Sequence, residues 1–360
     1  MYQTIDLNDQ PLSATLDYPI VCRLIAGNPR LARLRLSRAG LCGVTYHGRG
    51  RRSLVGADSL ALTLRAGPPR LVVLDVGSNF VDDAAMTVIA KGLEKNRVLR
   101  NLSLKGNAIG EKGVSTLAAS LPSSIVDLDI SNNPAVGAKG GVAIGRFLID
   151  FVRSANLRRL DVSRCNLGDE GLVGLAEGVE TARGLDWLGV ARNLNDPGSV
   201  GAGGGTGAGK VALGKALMAG EGSRIQGLSV DLWTISKGQR ELKLVRPKGT
   251  VPCQLPSTAD VCLAAGMICS HDWLLRVVLD GNPIDEAGLG YLCQALLRSR
   301  TVQSVSLNRC GLGERAGSLL LRMLGEKPGL EVDASEGNAL GEDILKKASY
   351  HTLFLSPKKL

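Results

Sequence analysis

Few residues in this chain have the types and spacing for chemistry. Gly204-x-x-x-x-Gly209-Lys210 has the spacing of a phosphate-binding loop. Its last position, where Ser or Thr would ligate Mg²⁺, holds Val211, and no second acidic motif for the metal accompanies it. The run reads instead as a glycine insertion leading into a helix over 210–218. Cys253, Cys262, Cys269 and His271 are zinc-ligand types, but they include no C-x-x-C pair. Cys262 and Cys269 lie seven apart on a helix expected over 257–270, behind a Ser257-x-x-Asp260 cap, and read as two structural thiols on one apolar face. The histidines are His47, His271 and His351, and none sits in a metalloprotease, nucleophile-elbow or paired-cysteine motif. The sequence therefore predicts no catalytic, cofactor-binding or metal-binding residue, no small-molecule substrate and no enzyme.

The chemistry that remains is recognition. Asp127, Asp129 and Asp161 could together attract a cation or a basic peptide, although Asp is also an ordinary structural choice at such positions. Arg164, Trp187 and Arg192, with Arg38, Arg159 and Arg309 of the same kind, are residue types that anchor interfaces. Two basic clusters stand apart: Arg49, Arg51 and Arg52, then Lys237, Arg240, Lys243, Arg246 and Lys248, with Glu241 opposing the second. These are the candidate partner-binding residues.

The elements that must position them come from a repeat. The pattern L-x-x-L-x-L-x-x-N/C-x-L recurs about ten times, most clearly in Leu99-Arg-Asn-Leu102-Ser-Leu104-Lys-Gly-Asn107-Ala-Ile109 and Leu157-Arg-Arg-Leu160-Asp-Val162-Ser-Arg-Cys165-Asn-Leu167. Copies start at Leu31, Leu71, Leu99, Ile125, Leu157, Leu185, Ile225, Leu274, Val302 and Leu330, the last one residue out of register. The steps of 40, 28, 26, 32, 28, 40, 49, 28 and 28 give a 28-residue unit with three insertions, at about 43–54, 195–207 and 236–256. The alternating half makes a short strand with one buried face. The Asn or Cys slot turns the chain, and Ala39 and Trp233 break that rule. The second half has helical apolar spacing with acids in the first turn, as in Gly168-Asp-Glu-Gly171-Leu172. Residues 1–30 read as an N-terminal cap with one helix over 18–28, residues 31–345 as the repeat domain, and 346–360 as a C-terminal cap and tail.

This unit resembles the ribonuclease-inhibitor type of leucine-rich repeat. The resemblance implies an α/β solenoid, a horseshoe with a parallel inner sheet, outer helices and about ten repeats. On that frame the aspartates, Trp187 and the arginines face the concave side, and the insertions leave along one edge. Hydrophobic residues at 44% and charged residues at 21% fit a folded chain, and aromatics at 3% leave a core of Leu, Val, Ile and Ala. The net charge of +9 permits an acidic partner without requiring one. The start has no signal-peptide pattern, no apolar run reaches membrane-spanning length, and eight cysteines lack disulfide spacing. The expectation is an intracellular, cytoplasmic or cytoskeletal protein with reduced thiols.

The function expected is a protein–protein interaction scaffold, a structural subunit of a larger cytoskeletal, ciliary or ribonucleoprotein assembly. RNA association through the basic insertions is the alternative, though aromatics for base stacking are not interleaved with them. A GTPase-activating role like that of the Ran activator in the resembled class fits less well, since Ser356-Pro-Lys358-Lys359-Leu360 replaces that family's acidic tail. Ribonuclease inhibition also fits poorly, because a +9 chain repels basic enzymes.

Overall fold

In a computed structural model, residues 3–43, 53–66, 69–193, 206–219, 225–231, 233–244 and 258–341, with the backbone of Leu353–Phe354, are described. The chain divides into two compact units, Met1–Gly205 and Thr206–Leu360.

In the first unit each L-x-L run makes a three-residue strand, and the apolar spacing behind it makes a helix. The strands are β1 (Thr4–Asp6), β2 (Arg33–Arg35), β3 (Val73–Asp75), β4 (Asn101–Ser103), β5 (Asp127–Asp129), β6 (Arg159–Asp161) and β7 (Trp187–Gly189). Between them run α1 (Asp17–Ala26), α2 (Val55–Ala66), α3 (Asp83–Leu93), α4 (Glu111–Ser120), α5 (Gly137–Ile149), α6 (Phe151–Ser154) and α7 (Gly168–Thr181). The strands pair in parallel and in chain order, so Leu34, Leu74, Leu102, Leu128, Leu160 and Leu188 form one stack. That stack and its partners Leu104, Ile130 and Val162 are at most 2% exposed. One core thus runs through successive turns, as the repeat register requires.

The Asn slot closes each turn. Asn107 Oδ1 accepts from Asn79 N (2.8 Å) and Val81 N (3.0 Å), and its Nδ2 donates to the Val76 and Leu104 carbonyls. Asn79, Asn133 and Asn193 repeat this arrangement, while Cys165 donates Sγ–H to Ile130 O. Buried turn backbone must find partners, and an amide side chain offers both a donor and an acceptor where a thiol offers one weak donor.

The N-terminal segment is more than a helical cap. β1 pairs with β2, Ile5 opposite Leu34. Asp9 has φ 61°, the left-handed turn conformation that Arg38, Ser78 and Gly106 take at the equivalent place in later repeats. Residues 3–26 therefore fold as a degenerate repeat, with Gln10 in the Asn slot.

In the second unit, α8 (Ala208–Ala219), β8 (Gly227–Ser229), β9 (Thr234–Ile235), β10 (Glu241–Lys243), α9 (Thr258–Ser270), β11 (Arg276–Val278), α10 (Glu286–Arg298), β12 (Ser304–Ser306), α11 (Glu314–Glu326), β13 (Glu331–Asp333) and β14 (Leu353–Phe354) follow in order. β8 and β9 form an antiparallel hairpin, closed by Val230 N to Trp233 O at 3.0 Å. The chain reverses at the Trp233 slot, so no Asn turn is needed there. β10 through β14 pair in parallel and in order. In the last repeat Val332 pairs with Val305, one residue short of the 28-residue period, while Asn338 keeps that period from Cys310 and accepts from Cys310 N.

β10 corrects the third expected insertion. Residues 236–244 are not loop decoration: Leu242 and Leu244 are 1% exposed, and Leu242 lies opposite Val277. The long step between Ile225 and Leu274 contains a hairpin and a further repeat strand. α9 also departs from expectation, being buried on every face from Ala259 to Ile268. α8 and α10 reach each other past it, Arg298 Nη1 donating to Met218 O at 3.0 Å.

Candidate functional site

Strand register sets two rows of side chains across the open face of the first unit's sheet. One row is Arg33, Val73, Asn101, Asp127, Arg159 and Trp187; the next is Arg35, Asp75, Ser103, Asp129, Asp161 and Gly189. In the first row a continuous chain of contacts crosses four strands. Asn101 Nδ2 donates to Asp127 Oδ2 (3.5 Å), Arg159 Nε stands 3.9 Å from Asp127 Oδ1, and the Arg159 guanidinium lies 3.4 Å from the Trp187 ring centroid. Arginine over indole is a favourable cation–π contact of about 0.5–1 kcal/mol when exposed. Gly189 leaves space for it: a Cβ there would run into the Trp187 ring edge and the Asp161 carboxylate. Trp187 is thus half-buried, held along its own strand by a neighbouring cation.

The aspartates have a structural task as well. Asp75, Asp129 and Asp161 each accept a hydrogen bond from the backbone N–H two residues on, at 2.9, 2.9 and 3.0 Å. This closes the turn that leaves each strand. Among the described residues no group of three His, Cys, Asp or Glu is placed to hold a metal ion. Burial pushes the Asp127 carboxyl up from the usual range; Arg159 and Asn101 oppose this, and the Asp129 and Asp161 charges add to it.

Arg38, Arg164, Arg192 and Arg309 do not stand on the strands. Each occupies the left-handed turn after a strand, with φ of 53°, 57°, 56° and 56°. Arg38 pairs with Asp9, and Arg309 Nη2 lies 3.2 Å from Glu336. Arg164 and Arg192 are exposed on consecutive turns joined by Arg164 N to Ala191 O at 2.8 Å. The structure brings those two arginines together, but Trp187 opens β7 while Arg192 follows its end.

Of the basic clusters, Arg49, Arg51, Arg52, Arg246 and Lys248 lie outside the described residues, as do most of the first two expected insertions. Lys237 is exposed with Nζ 5.5 Å from the Trp273 ring. The Arg240 carbonyl accepts from Leu275 N and Arg276 N at the sheet edge, and Lys243 points from β10 onto the open face opposite Val278.

Lys210 is committed elsewhere. Its Nζ lies 2.9 Å from Asp260 Oδ1 and 3.2 Å from Asp231 Oδ2. Asp260 thus serves an ion pair with Lys210; Ser257, the other half of the expected helix cap, lies outside the described residues. Cys262 donates to Val211 O of α8, and Cys269 to Ala295 O of α10, so the two thiols face different helices. Burial pushes Cys165 up to about 12 and Cys262, Cys293 and Cys310 to about 11, which leaves them protonated and inert at neutral pH. Cys253 lies outside the described residues.

Three segments, 95–118, 122–145 and 153–176, match the family described as Leucine Rich repeat. The chain is 26% identical over 319 residues to the ribonuclease inhibitor of Sus scrofa, covering 88% of this chain and 60% of that protein's length. Among solved structures it is similar to the tropomodulin C-terminal domain of Caenorhabditis elegans (TM-score 0.33, 13% identity, 57% of this chain and 93% of that one). It is also similar to the Rad7 and Elc1 complex of yeast (TM-score 0.35, 13% identity, 88% of this chain and 72% of that one).

Proposed function

We infer that this chain, a leucine-rich repeat protein of the ribonuclease-inhibitor type, is a protein-binding scaffold that holds a partner on the open face of its strands. The observation that carries the reading is the Trp187 ring fixed between Arg159 and Gly189, one row from Asp129 and Asp161. A preordered aromatic beside carboxylates suits a partner segment that offers an apolar side chain and a cation. Fixing the indole in advance lowers the entropy lost on binding. The similarity to a ribonuclease inhibitor supports a protein as the partner class, and a structural subunit of a larger intracellular assembly is the role we assign.

The test is cross-linking mass spectrometry on native extracts, with parent and Trp187→Ala chains. The expected result is partner cross-links mapping to β5–β7 in the parent and their loss in the variant, with circular dichroism unchanged. Equal partner recovery by both chains would refute the strand-face reading. Partner recovery that vanishes on nuclease treatment, with a steep salt dependence, would favour RNA association through the basic residues instead.

A further inference from the structure

A second surface of the first unit is built for contact, and it arises where the repeat is too long. The step from Ile125 to Leu157 is 32 residues against the usual 28. The surplus is α6. α5 stops at Asp150 (φ −74°, ψ 92°), whose carboxylate Oδ1 then caps α6 by accepting from Val152 N (3.1 Å) and Arg153 N (3.2 Å). α5 and α7 run backbone against backbone before this point: a Cβ on Gly145 would collide with the Gly174 carbonyl, and one on Gly178 with the Gly145 carbonyl. The helices are thus drawn together, then the chain kinks outward. The kink leaves Ile149 41%, Phe151 54% and Val152 81% exposed in one short stretch. Contiguous exposed apolar residues of this kind mark contact surfaces more often than scattered single ones.

Beside them lies a groove of about 430 Å³ between α6 and the end of α7, floored by Leu148, Leu157, Ala182 and Leu185 and walled by Phe151. That volume is in the range of binding pockets, ~300–1,000 Å³. Two lining residues, Arg158 and Arg183, are cationic and none is acidic. Arg158 Nη1 is fixed by the carbonyls of Ala155 (2.9 Å), Leu157 (3.3 Å) and Gly184 (3.0 Å), and the Arg183 guanidinium stands 5.9 Å from the Phe151 ring. We propose that this groove binds a short segment of a partner protein that carries an apolar anchor flanked by acidic residues. The anchor fills the space over Leu157 and Leu185, and the carboxylates meet Arg158 and Arg183. The charge of the lining selects the occupant. The apolar stretch of this chain's own tail, Leu353-Phe-Leu-Ser-Pro-Lys358-Lys359, is followed by lysines, so a second copy of this chain is a poor match.

The experiment is selection of a displayed random dodecapeptide library on the full chain, counter-selected on a Phe151→Ala, Arg183→Glu double variant. The expected result is enrichment of peptides with one or two large apolar residues next to Asp or Glu. In fluorescence anisotropy with the most enriched peptide, Phe151→Ala and Arg183→Glu should each weaken binding about tenfold or more, as for other interface anchors. Both residues are exposed, so circular dichroism should not change. No enrichment that separates parent from variant overturns the proposal, as does enrichment of basic peptides. Concentration-dependent dimerisation abolished by Phe151→Ala would overturn it too, in favour of a homotypic contact. Trp187→Ala should leave peptide binding intact, so failure here and failure of the strand-face reading are separate results.

Discussion

Replacing Lys210 with Met should destabilise the second unit by about 3 kcal/mol. The Lys210 side chain is 15% exposed and lies between Asp260 at 5% and Asp231 at 29%. Burial opposes its charge, but Asp260 and then Asp231 outweigh that and hold its pKa above the usual 10.5. A lysine raised in this way contributes its full stability below the unfolded value and loses it as pH rises through the folded one. At neutral pH the whole contribution is therefore at stake. Breaking a buried ion pair by deleting one member costs about 3–5 kcal/mol, because the remaining charge loses its compensation. Asp231 is partly in water, where screening makes its share small, which puts the expectation at the lower end. At ~2–4 °C per kcal/mol for a unit of this size, the melting midpoint should fall by about 6–12 °C. Differential scanning calorimetry of the full chain at neutral pH reads this directly. Lys210→Met with Asp260→Asn should recover much of the loss, since the deeper charge is then gone as well. A single variant that melts with the parent, or a double variant no better than the single, would refute the ion-pair argument. Mg²⁺-dependent ATP binding that disappears with Lys210 would refute it from the other side, by showing the lysine free to meet phosphates.

Three further outcomes follow from the same geometry. Leu160→Ala, at a fully buried position in the strand stack, should cost about 2–5 kcal/mol in chemical denaturation. Deleting 237–250 looks harmless if that stretch is a loop, but it removes β10 with the buried Leu242 and Leu244; the second unit should lose cooperative melting, whereas charge reversal at exposed Lys237 and Lys243 should leave melting intact. Arg159→Met removes the main influence that lowers the Asp127 pKa, so its carboxyl should titrate at higher pH than in the parent, as read by carbon NMR of labelled Asp, and Trp187 fluorescence should change as the stacked cation is lost.

The regular repeats were legible because their signal is doubled: alternating apolar residues mark the strand, and Asn or Cys marks the turn. Where one half is missing, reading fails. Glu241-Leu242-Lys243-Leu244 alternates as a strand should, but no Asn follows at the right distance, and the segment reads as an insertion. Ile5-Asp6-Leu7 fails in the same way, with Gln10 in the slot. In both, the backbone pairs with its neighbour regardless, since parallel pairing asks only for an apolar side chain at the stacked position. The Asn ladder stabilises a repeat; it does not define one.

The candidate sites follow a related rule. In a repeat array lateral neighbours stand one period apart, so a row across the sheet can be read from residues 28 positions apart. Arg159 and Trp187 are such a pair, and so are Asp161 and Gly189; the indole held against its own strand follows from those four residues together. The arginines before the Asn or Cys slot are periodic too, yet their place in a left-handed turn moves them off the strand face, a backbone property that side-chain alternation does not encode. The groove beside α6 has no periodic signature. It exists because four residues break the period, and only a helix pair packed as tightly as Gly145 and Gly174 allow forces those residues outward. Surfaces made by the repeat can be inferred from its register, and surfaces made by departures from it depend on how the surrounding helices pack.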